Sequence, residues 1–558
     1  MYSYKDSTKK VPLNSLYSPS LEANRFIKKL DKNNRKVYIF IGIGNSTLIK
    51  NIIKNTRSYI HLYIIEPFEQ VLADSEFIDL VKTSRNVTFE YYKNWFMLDF
   101  MTFIEKFNST DTEIIIHPHY EKTKTGHLKE IINKLNQGIK LVTINNNTER
   151  RFRKDWILEP LLNLQYTMGA HSIKELKDKY RGKSAILAAS GPSLKENMTF
   201  LKEAQNSAYI FAAGSAVNGL TNNGIIPDFV TSFDSGDINY DTHFKESNYK
   251  GPLIAGSVIN SNILKHHEGP IIYAQLTLDD ITRRVIKDKY SFPPVPSVAV
   301  FTLQIMQFLG FSKIYLVGQD LAYINGKYYA QGVNETDASK KVNADITVKS
   351  NNGGMVDTSY SLYSFLESFE FLINHIDQNE MTIYNTSRNG AYIKGTTFVE
   401  PNSINISDEL GIKDIALDLK AAQASEAGIN EGLKIIDELE EFSETLHDAN
   451  KSLSRLNPKA VSITDIKKVS KIFSTLRNHT IFEDIITQRM SSIVQRIRNL
   501  FLYKLDDNQT TNDDRIMMVE EIQRLVTSSE KFIESLLNDN RVIKYKAQYK
   551  DKQNANPV

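Results

Sequence analysis

One ten-residue segment constrains the fold of this chain more than any other. Residues 185–194 read Ala-Ile-Leu-Ala-Ala-Ser-Gly-Pro-Ser-Leu, so a short apolar run ends at a Ser-Gly-Pro-Ser turn. The pattern predicts a buried strand, a tight turn and then a helix over 195–204. Gly191 allows unusual backbone angles and the close approach of a ligand, Pro192 suits a first helical turn, and Ser193 can cap free N–H groups. We therefore expect a helix start that can bind a phosphate, although no Gly-Lys-Ser/Thr follows as in a P-loop.

Composition narrows the class of protein. A length of 558 residues predicts about three domains. Hydrophobic residues at 41% and charged residues at 24% are typical of a soluble globular protein, and a net charge of +2 gives no indication of nucleic-acid binding. The absence of Cys excludes disulfides and thiolate metal sites. The first residues lack the apolar core of a signal peptide and no apolar run could span a bilayer, so we expect a cytoplasmic protein without a membrane span.

The first 150 residues predict an α/β domain. Apolar strands are expected at 37–44, 61–65, 114–116 and 140–144, with a helix at 46–55 between the first two. The Gly42-x-Gly44 turn, with Glu66 some 20 residues on, resembles a dinucleotide or S-adenosylmethionine site. The third glycine is missing, which favours a scaffold or the relic of a nucleotide site. His117 and His119 could bind a metal, but a plain loop is favoured because no partner motif is visible.

A second α/β domain is predicted over 183–400, after a helical linker at 151–182. Its strands are expected at 185–189, 208–213, 228–233, 252–256, 270–274, 313–317 and 381–385. Most end in small or polar residues, which places functional groups at the carboxyl edge of a parallel sheet. Small residues leave room for a ligand, hydroxyl and amide groups supply neutral donors, and the carboxylates can accept hydrogen bonds or act as a base. The segments concerned are Ser190–Ser193, Ala213–Ala216, Ser232–Asp237, Pro296–Ala299 and Gly318–Asp320.

After Pro401 the pattern becomes helical. Apolar residues recur at steps of three or four from Ile429 to Leu456, and Asn457-Pro458 breaks the pattern. Further helices are predicted at 463–477, 480–504 and 513–537. The overall fold class is therefore α/β, with two Rossmann-like parallel-sheet domains at 1–150 and 183–400. A C-terminal helical bundle over 401–545 and a mobile polar tail at 546–558 follow.

Four motifs in the middle domain resemble the motility-associated factor (Maf) glycosyltransferases. They are AASGPSL, PDFVTSFDSGD, PSVAVFTLQIMQFLGFSKIYLVGQDLAY and NTSRNGAYIKGT. That family transfers nonulosonic acids, such as pseudaminic or legionaminic acid, from CMP-activated donors to Ser or Thr of flagellin. The same domain is similar to bacterial sialyltransferases that use CMP-sialic acid, and to archaeal hydroxymethylpterin pyrophosphokinases. The resemblance implies an enzyme whose donor is a CMP-nonulosonic acid and whose protein partner is flagellin. The C-terminal helical domain could be the docking module for flagellin or only a stabilising cap.

The similarity to the sialyltransferases implies a set of donor-binding residues. Ser190, Gly214 and Asp234 fall at or near positions where those enzymes contact the nucleotide through Asn. Gly191, Pro192, Ser193, Ser297, Gly318 and Asp320 match directly, and Ser215 lies beside Gly214. Tyr323 or Tyr329 matches tyrosines that hold the donor phosphate. Asp320 and Asp234 could equally be structural hydrogen-bond hubs.

The general base is missing from its usual place. The sialyltransferases have a His ahead of the helix that begins here near Thr358, and Gly354 stands at that position. Asp357, Asp234, Asp237 and His243 are the candidates. A CMP leaving group carries one phosphate, so Tyr and Ser hydroxyls and a helix N-terminus could stabilise it without a tightly bound metal, with Mg²⁺ as an activator at most.

Two other functions stay open from the sequence. One is an ATP-dependent hydroxymethylpterin pyrophosphokinase, which would need a well-ligated Mg²⁺ and basic residues near three phosphates. The middle-domain motifs are poor in Arg and Lys, which disfavours it. The other is a flagellin-binding chaperone without catalytic activity.

Overall fold

In the computed structural model of the chain, the described residues are 3–5, 10–13, 17–27, 37–55, 61–84, 86–105, 112–123, 126–287, 290–330, 344–377, 379–406, 413, 415, 419–421, 423–457, 460–491, 493–494, 497–498 and 512–555. They divide into two compact units. The first unit comprises residues 1–149 and 446–529, and the second comprises residues 150–445 and 530–558. Residues 446–529 of the predicted C-terminal bundle therefore cluster with the first unit, and the remainder cluster with the second.

The first unit contains a parallel sheet. Short β-branched and aromatic runs such as Val37–Ile41 are buried along their whole length, which is typical of strands covered on both faces. The sheet has the order β5-β4-β3-β6 among the described strands, and the predicted strands at 37, 61 and 114 are confirmed. The strands are β1 (Ser3–Lys5), β2 (Lys10–Pro12), β3 (Val37–Ile41), β4 (His61–Glu66), β5 (Val87–Tyr91) and β6 (Thr112–Ile116), of which β1 and β2 form a separate antiparallel pair.

The predicted strand at 140–144 is wrong. Those residues lie inside a helix that runs from Gly126 to Phe152. Leu128, Ile131, Leu135 and Val142 are buried at helical spacing along it. A short apolar run such as Leu141–Val142 fits either a strand or a helix. Here the helical spacing of apolar residues over a longer stretch indicates a helix.

The second unit is built on a larger parallel sheet. Nine described strands pair in the order β17-β16-β13-β8-β9-β10-β11-β12-β7. All seven strands predicted for this region are confirmed. The strands are β7 (His171–Ser172), β8 (Ser184–Ala188), β9 (Tyr209–Ala213), β10 (Phe229–Ser232), β11 (Leu253–Gly256), β12 (Ile271–Ala274), β13 (Lys313–Val317), β16 (Thr382–Asn385) and β17 (Thr397–Phe398), while β14 (Ile346–Lys349) and β15 (Met355–Thr358) form a separate antiparallel hairpin.

The order of these strands reverses between β8 and β13. From β8 the chain proceeds through β9, β10, β11 and β12 on one side, whereas β13 and β16 extend the sheet on the other side. Such a reversal leaves a crevice at the carboxyl ends of the two strands, which is where ligands bind in open α/β sheets. The Ser190–Ser193 turn follows β8 and the Gly318–Asp320 turn follows β13, so both predicted motifs lie at this switch point.

Two hydrophobic cores cover the two faces of this sheet. Along β8, Ala185 and Leu187 belong to one core and Ile186 and Ala188 to the other, as the alternation of side chains in a strand requires. The helix Val298–Leu309 is apolar nearly all round and is buried against the first of these faces. The sheet is therefore a rigid support for the loops at its carboxyl edge.

The helices predicted at 46–55, 429–456, 463–477 and 513–537 are confirmed, and the predicted break at Asn457-Pro458 is not tested at Pro458. Pro458 lies outside the described residues. The predicted helix 480–504 contains a π-helical turn at Phe482–Ile486 and a short helix at Thr487–Arg489, with part of the range undescribed. The predicted tail begins inside a helix that reaches Ala555. The described helices are α1 (Pro19–Ile27), α2 (Thr47–Asn55), α3 (Ser75–Thr83), α4 (Met97–Glu105), α5 (Gly126–Phe152), α6 (Asp155–Thr167), α7 (Met198–Ala204), α8 (Ala216–Thr221), α9 (Asp237–Asn239), α10 (Ser261–His266), α11 (Asp280–Val285), α12 (Val298–Leu309), α13 (Tyr360–Asn374), α14 (Glu426–Leu453), α15 (Ile463–Arg477), α16 (Thr487–Arg489), α17 (Asn512–Leu537) and α18 (Asn540–Ala555).

Candidate functional site

The Ser190–Ser193 turn is fastened to the turn that follows β13. The N–H of Gly191 donates to the carbonyl oxygen of Gly318 at 2.9 Å. A Cβ atom on Gly191 would lie 2.5 Å from that oxygen and 2.5 Å from Asp320 Oδ2, so a larger residue does not fit. The φ angle of Gly191 is −66°, so the unusual angles that glycine allows are not used. Glycine is required here because the two turns approach closely.

The helix predicted after this turn begins as a 3₁₀ helix, Pro192–Asn197, and continues as α7. Gly191 is its N-cap and no side chain caps it, so the prediction that Ser193 caps the free N–H groups is wrong. Instead, the N–H of Ser193 donates to Asp320 Oδ2 at 2.8 Å. At the helix start where we expected a phosphate to bind, the Ser193 N–H is thus already bound to a carboxylate of the protein.

Asp320 joins three loops of the carboxyl edge. Its Oδ2 accepts from the Ser193 N–H, its Oδ1 accepts from the Ser387 hydroxyl, and its carbonyl oxygen accepts from the Ala391 N–H at 2.7 Å. The residue is 2% exposed. Burial raises the pKa of its carboxyl, and the hydrogen bonds from Ser387 and Ser193 oppose that rise. Both oxygens are engaged within the protein, so Asp320 holds the switch-point turns together.

The hydroxyls of Ser190 and Ser215 form a hydrogen bond next to the turns that Asp320 joins. Ser215 Oγ donates to Ser190 Oγ at 2.8 Å, which links the loops after β8 and β9. The carbonyl oxygen of Ser190 accepts from the N–H of Ala330 at 2.9 Å, and this bond brings Tyr329 to the same edge. Both serine side chains are half-buried. Two hydroxyls therefore lie together at this edge, and the backbone beside Tyr329 is bonded to it.

The start of α12 lies against the loop after β9. Gly214 has a φ of 46°, and a Cβ atom there would contact Val298 at 3.7 Å. Ser297 caps this helix, because its Oγ accepts from the N–H of Ala299 at 3.2 Å. The N-terminus of a twelve-residue helix thus adjoins Gly214 and Ser215.

Tyr323 lies beside the β14–β15 hairpin, and its ring is connected to that of Tyr329 through the ring of Tyr328. Its N–H donates to the carbonyl oxygen of Asp357 at 2.8 Å. The Asp357 side chain is exposed on β15, opposite Thr347 of β14. Gly354 is exposed in the turn of the hairpin, where the sialyltransferases place their base. The structure therefore brings Tyr323 and Asp357 together at the hairpin, while Tyr329 adjoins Ser190.

Asp234 and Asp237 are presented by the loop after β10. Asp234 Oδ1 accepts from the N–H of Gly236 at 2.9 Å, and Asp237 Oδ1 accepts from Asn260 Nδ2 at 3.0 Å. Both side chains are exposed. The surrounding chain still removes enough water from Asp234 to raise the pKa of its carboxyl. The hydrogen bond from the Gly236 N–H and the nearby charge of Arg151 lower that pKa and offset part of the rise. A carboxylate with a raised pKa at an exposed loop is suited to accept a proton.

His243 lies in a π-helical turn, Tyr240–Phe244, that follows this loop. Its carbonyl oxygen accepts from Asn218 Nδ2 of α8 at 3.1 Å, so the turn is tied to the helix that begins after Ser215. The imidazole Nδ1 is buried and has no partner among the described residues. Burial lowers the pKa of the ring, which favours the neutral form, and a neutral imidazole can also accept a proton.

Ser190, Ser215 and Asp234 follow three consecutive strands of the sheet. Adjacent strands lie about 4.8 Å apart, so the strand ends that carry them lie within about 10 Å. This matches the length of a sugar with its attached phosphate. The carboxyl edge next to the switch point therefore presents two hydroxyls, a helix N-terminus and a carboxylate in one row.

Three residues of this edge were missed by the sequence analysis. Gln319 is 5% exposed and its Oε1 has no partner among the described residues. Leu321 has a φ of 52°, a conformation that costs a leucine energy and is found most often at functional sites. Asn260 is buried and holds the loop that carries Asp234 and Asp237. Backbone strain and a buried amide leave no pattern in one sequence.

The glycine turn of the first unit is filled by protein. The Tyr120 ring lies against Gly42, where a Cβ atom would be 2.6 Å from it, and the Tyr120 hydroxyl accepts from the Gly44 N–H at 3.0 Å. Glu66 accepts from the Ile43 N–H at 2.8 Å and from the Tyr120 hydroxyl at 2.7 Å. Burial raises the pKa of Glu66 to about 7, against these hydrogen bonds. The groups that would hold a dinucleotide are therefore bound to each other. This agrees with the interpretation of the turn as a structural scaffold.

His117 and His119 do not meet at a metal site. His119 Nε2 lies 2.7 Å from Glu22 Oε1, and burial lowers the pKa of His117 to about 3. Across the described ranges, no group of three or more His, Asp or Glu side chains is arranged to hold a metal ion. Among the helices of that same part of the chain, none is both long enough and apolar enough to cross a membrane.

The fold and the edge just described define an α/β protein with a row of polar groups beside the switch point of a parallel sheet. A solved Maf glycosyltransferase from Magnetospirillum magneticum AMB-1 has this fold: the match covers 96% of this chain and 88% of that chain, with a TM-score of 0.54 and 12% sequence identity. The predicted fold class, and the Maf-like fold that the motifs implied, are thus confirmed. At this identity the likeness concerns the fold alone.

Two sequence comparisons cover parts of the chain. The profile of a family described as 6-hydroxymethylpterin diphosphokinase MptE-like matches residues 159–326. An uncharacterized protein of Treponema pallidum (strain Nichols) is 29% identical over 108 residues, which are 19% of this chain. The matched region spans 50% of that curated relative. The family profile covers the turns from Ser190 to Asp320, and so most of the candidate site.

Proposed function

We propose that this chain is a cytoplasmic glycosyltransferase that transfers a nonulosonic acid from a CMP-activated donor to a Ser or Thr hydroxyl of flagellin. The observation that carries the proposal is the row of Ser190, Ser215 and Asp234 on consecutive strands beside the switch point. The fold shared with a Maf glycosyltransferase supports the same class of reaction. The helices of the C-terminal region are the proposed docking module for flagellin.

Neutral donors bind the leaving group in this proposal. The hydroxyls of Ser190 and Ser215 and the start of α12 at Ser297 lie at this carboxyl edge, and Tyr329 is brought to it by the hydrogen bond between Ala330 and Ser190. Together they can stabilise the single phosphate of CMP as negative charge develops on it. The proposal therefore assigns no step to a tightly bound metal, and Mg²⁺ would act at most as an activator.

Asp234 is the base that we propose. The acceptor hydroxyl oxygen forms a bond to the anomeric carbon while the bond from that carbon to the phosphate oxygen breaks and its electron pair leaves with CMP. The hydroxyl proton passes to the Asp234 carboxylate. Asp237 is held by Asn260 and Asp357 lies on the hairpin beside Tyr323, so Asp234 is the better placed of the three carboxylates. His243, with its unpartnered Nδ1, is the second candidate.

Pyrophosphoryl transfer is the second function worth testing, because the matching family profile is named for a hydroxymethylpterin diphosphokinase. In that reaction ATP would be converted to AMP as the pterin gains a diphosphate. Incubation of the purified chain with ATP, Mg²⁺ and 6-hydroxymethylpterin, followed by chromatography of the nucleotides, distinguishes the two reactions. The proposal predicts no pterin-dependent formation of AMP.

Intact-mass measurement of flagellin tests the proposed reaction. We expect flagellin incubated with the full chain and a CMP-nonulosonate to gain one or more increments of nonulosonate mass, and free CMP to appear in equal amount. The same mixture without the chain serves as control. Binding of flagellin with no gain in mass would contradict the proposed activity and favour a chaperone.

A further inference from the structure

Glu159 of α6 is a buried carboxylate that the proposed reaction does not use. The residue is 1% exposed. Its Oε2 accepts from the N–H of Ser261 at 2.6 Å and its Oε1 accepts from the Arg541 guanidinium at 2.6 Å. Burial raises the pKa of this carboxyl to about 7, although the Ser261 hydrogen bonds and the charge of Arg541 favour the ionised form. Such a group is costly to bury unless its partners stay in place.

On its outer side, Glu159 is connected to the C-terminal helix. Arg541, in the first turn of α18, also donates to Asp155 at 2.7 Å and to Asp539 at 3.0 Å. Lys154 pairs with Asp539 at 2.5 Å. Ion pairs therefore connect the start of α18 to the start of α6. In one of them, Arg541 contacts Glu159 although the two residues are 382 positions apart in the sequence.

On its inner side, Glu159 is connected to the loop that carries the candidate carboxylates. Asn260 precedes Ser261 and is 1% exposed. Its N–H donates to the carbonyl oxygen of Asp234 at 3.1 Å, and its Nδ2 donates to the carbonyl oxygen of Ser235 at 3.1 Å and to Asp237 Oδ1 at 3.0 Å. Every one of these bonds holds the loop and leaves the Asp234 side chain exposed.

A second bond from α6 reinforces the same segment. Asn163, one turn after Glu159, is fully buried, and its Nδ2 donates to the carbonyl oxygen of Ile259 at 2.7 Å. Asn163 and Glu159 thus form hydrogen bonds to the residues immediately before and after Asn260. The position of Asn260 is set by α6, and the position of α6 is secured by α18.

We propose that Asn260, Glu159 and Arg541 are positioning residues that hold the Asp234–Asp237 loop in its working geometry. The C-terminal helix then contributes to catalysis through a relay of hydrogen bonds, without touching the CMP-activated donor. This inference rests on the proposed function only for the role of Asp234. The mechanical part, that the loop depends on α18, stands independently.

Hydrogen exchange tests the mechanical part without any ligand. In Asn260→Ala and in Arg541→Met, we expect the amides of residues 232–239 to exchange about tenfold faster than in the wild type. The first change removes the side-chain hydrogen bonds from Asn260 to this loop, and the second removes the Arg541 bonds that secure Glu159 and α6 behind Asn260. Amides of β13 serve as the internal reference for a folded sheet. Lys546→Met is the matched control, because it breaks an ion pair between the same helix and Glu440 and leaves the relay intact. Unchanged exchange at 232–239 in Arg541→Met, with β13 protected, would overturn the inference.

Kinetics test the catalytic part. We expect Arg541→Met to lower kcat about tenfold with the KM for the donor within a factor of two, because the loop moves and the nucleotide pocket does not. Arg541→Lys should restore part of kcat. If the wild type shows no transfer while Arg541→Met still speeds hydrogen exchange at 232–239, the proposed function is wrong. The dependence of the loop on α18 is then still supported. A rise in KM without a fall in kcat would contradict the positioning role.

Discussion

Asp234→Asn is expected to lower kcat by about 10²- to 10⁴-fold, the usual contribution of a general base. The substitution keeps the shape of the side chain and an oxygen for the N–H of Gly236, but it removes the proton acceptor. Binding of CMP should change little, because the nucleotide lies on the side of Ser190 and Ser215. Steady-state transfer rates, together with CMP affinity by calorimetry, check this expectation.

The matched control is Asp241→Asn, an exposed aspartate in the neighbouring π-helical turn that pairs loosely with Lys245 at 3.7 Å. It should leave kcat within a factor of two. If Asp234→Asn retains full activity and His243→Asn loses it, the base is His243 and the assignment to Asp234 is wrong.

The pH profile gives an independent check on Asp234. A base works in its deprotonated form, so the rate falls as the pH drops through its pKa. Desolvation raises the Asp234 pKa above the ordinary aspartate value of 3.8, so the acidic limb of kcat/KM should lie above that value. The limb should disappear from the residual activity of Asp234→Asn.

The second large effect is expected at Gly318, the first residue after β13. Gly318 has a φ of 67°, and a Cβ atom there would lie 2.2 Å from the carbonyl oxygen of Ala189. Gly318→Ala should therefore combine left-handed strain with a backbone clash and lower the stability of the second unit by about 3–5 kcal/mol. Thermal unfolding of the full chain measures this change.

Gly326→Ala separates the two causes. Gly326 has nearly the same φ, 71°, and a Cβ atom there would contact nothing within 4 Å. We expect that variant to lose only about 1 kcal/mol from backbone strain. Equal losses in the two variants would show that the close contact between the turns after β8 and β13 does not contribute to stability.

Seven strands of the sheet of the second unit could be predicted because each of them is a short apolar run that ends in small or polar residues. The two-residue edge strands β7 and β17 contain no such run and were not predicted. Runs such as Ala185–Ala189 have no competing helical periodicity. The segment 140–144 lies within a longer helical repeat, and a short window does not reveal it. The start of the tail at Lys546 is polar in sequence, yet it lies in α18, where Lys546 forms an ion pair with Glu440, 106 positions away.

The site could be predicted only in part. Sequence placed Ser190, Gly214, Asp234 and Asp320 at strand ends, and the order of the strands then decided which of these ends are neighbours. Ser297, which was grouped with them, follows no strand and caps α12. Sequence did not show that Asp320 occupies the N–H of Ser193. Nor did it reveal Tyr120, which closes the Gly42 turn from 78 positions away. Such contacts depend on tertiary packing, which has no local pattern.

The most direct test of the central claim is calorimetric titration of the full chain with CMP. The account predicts binding by the wild type and by Ser312→Trp, a half-buried serine before β13 at the opposite edge of the same sheet, and loss of binding in Ser215→Trp, which places an indole in the crevice beside Ser190. Binding that survives in Ser215→Trp, or is absent from the folded wild type, would contradict a nucleotide site at the carboxyl edge beside the switch point.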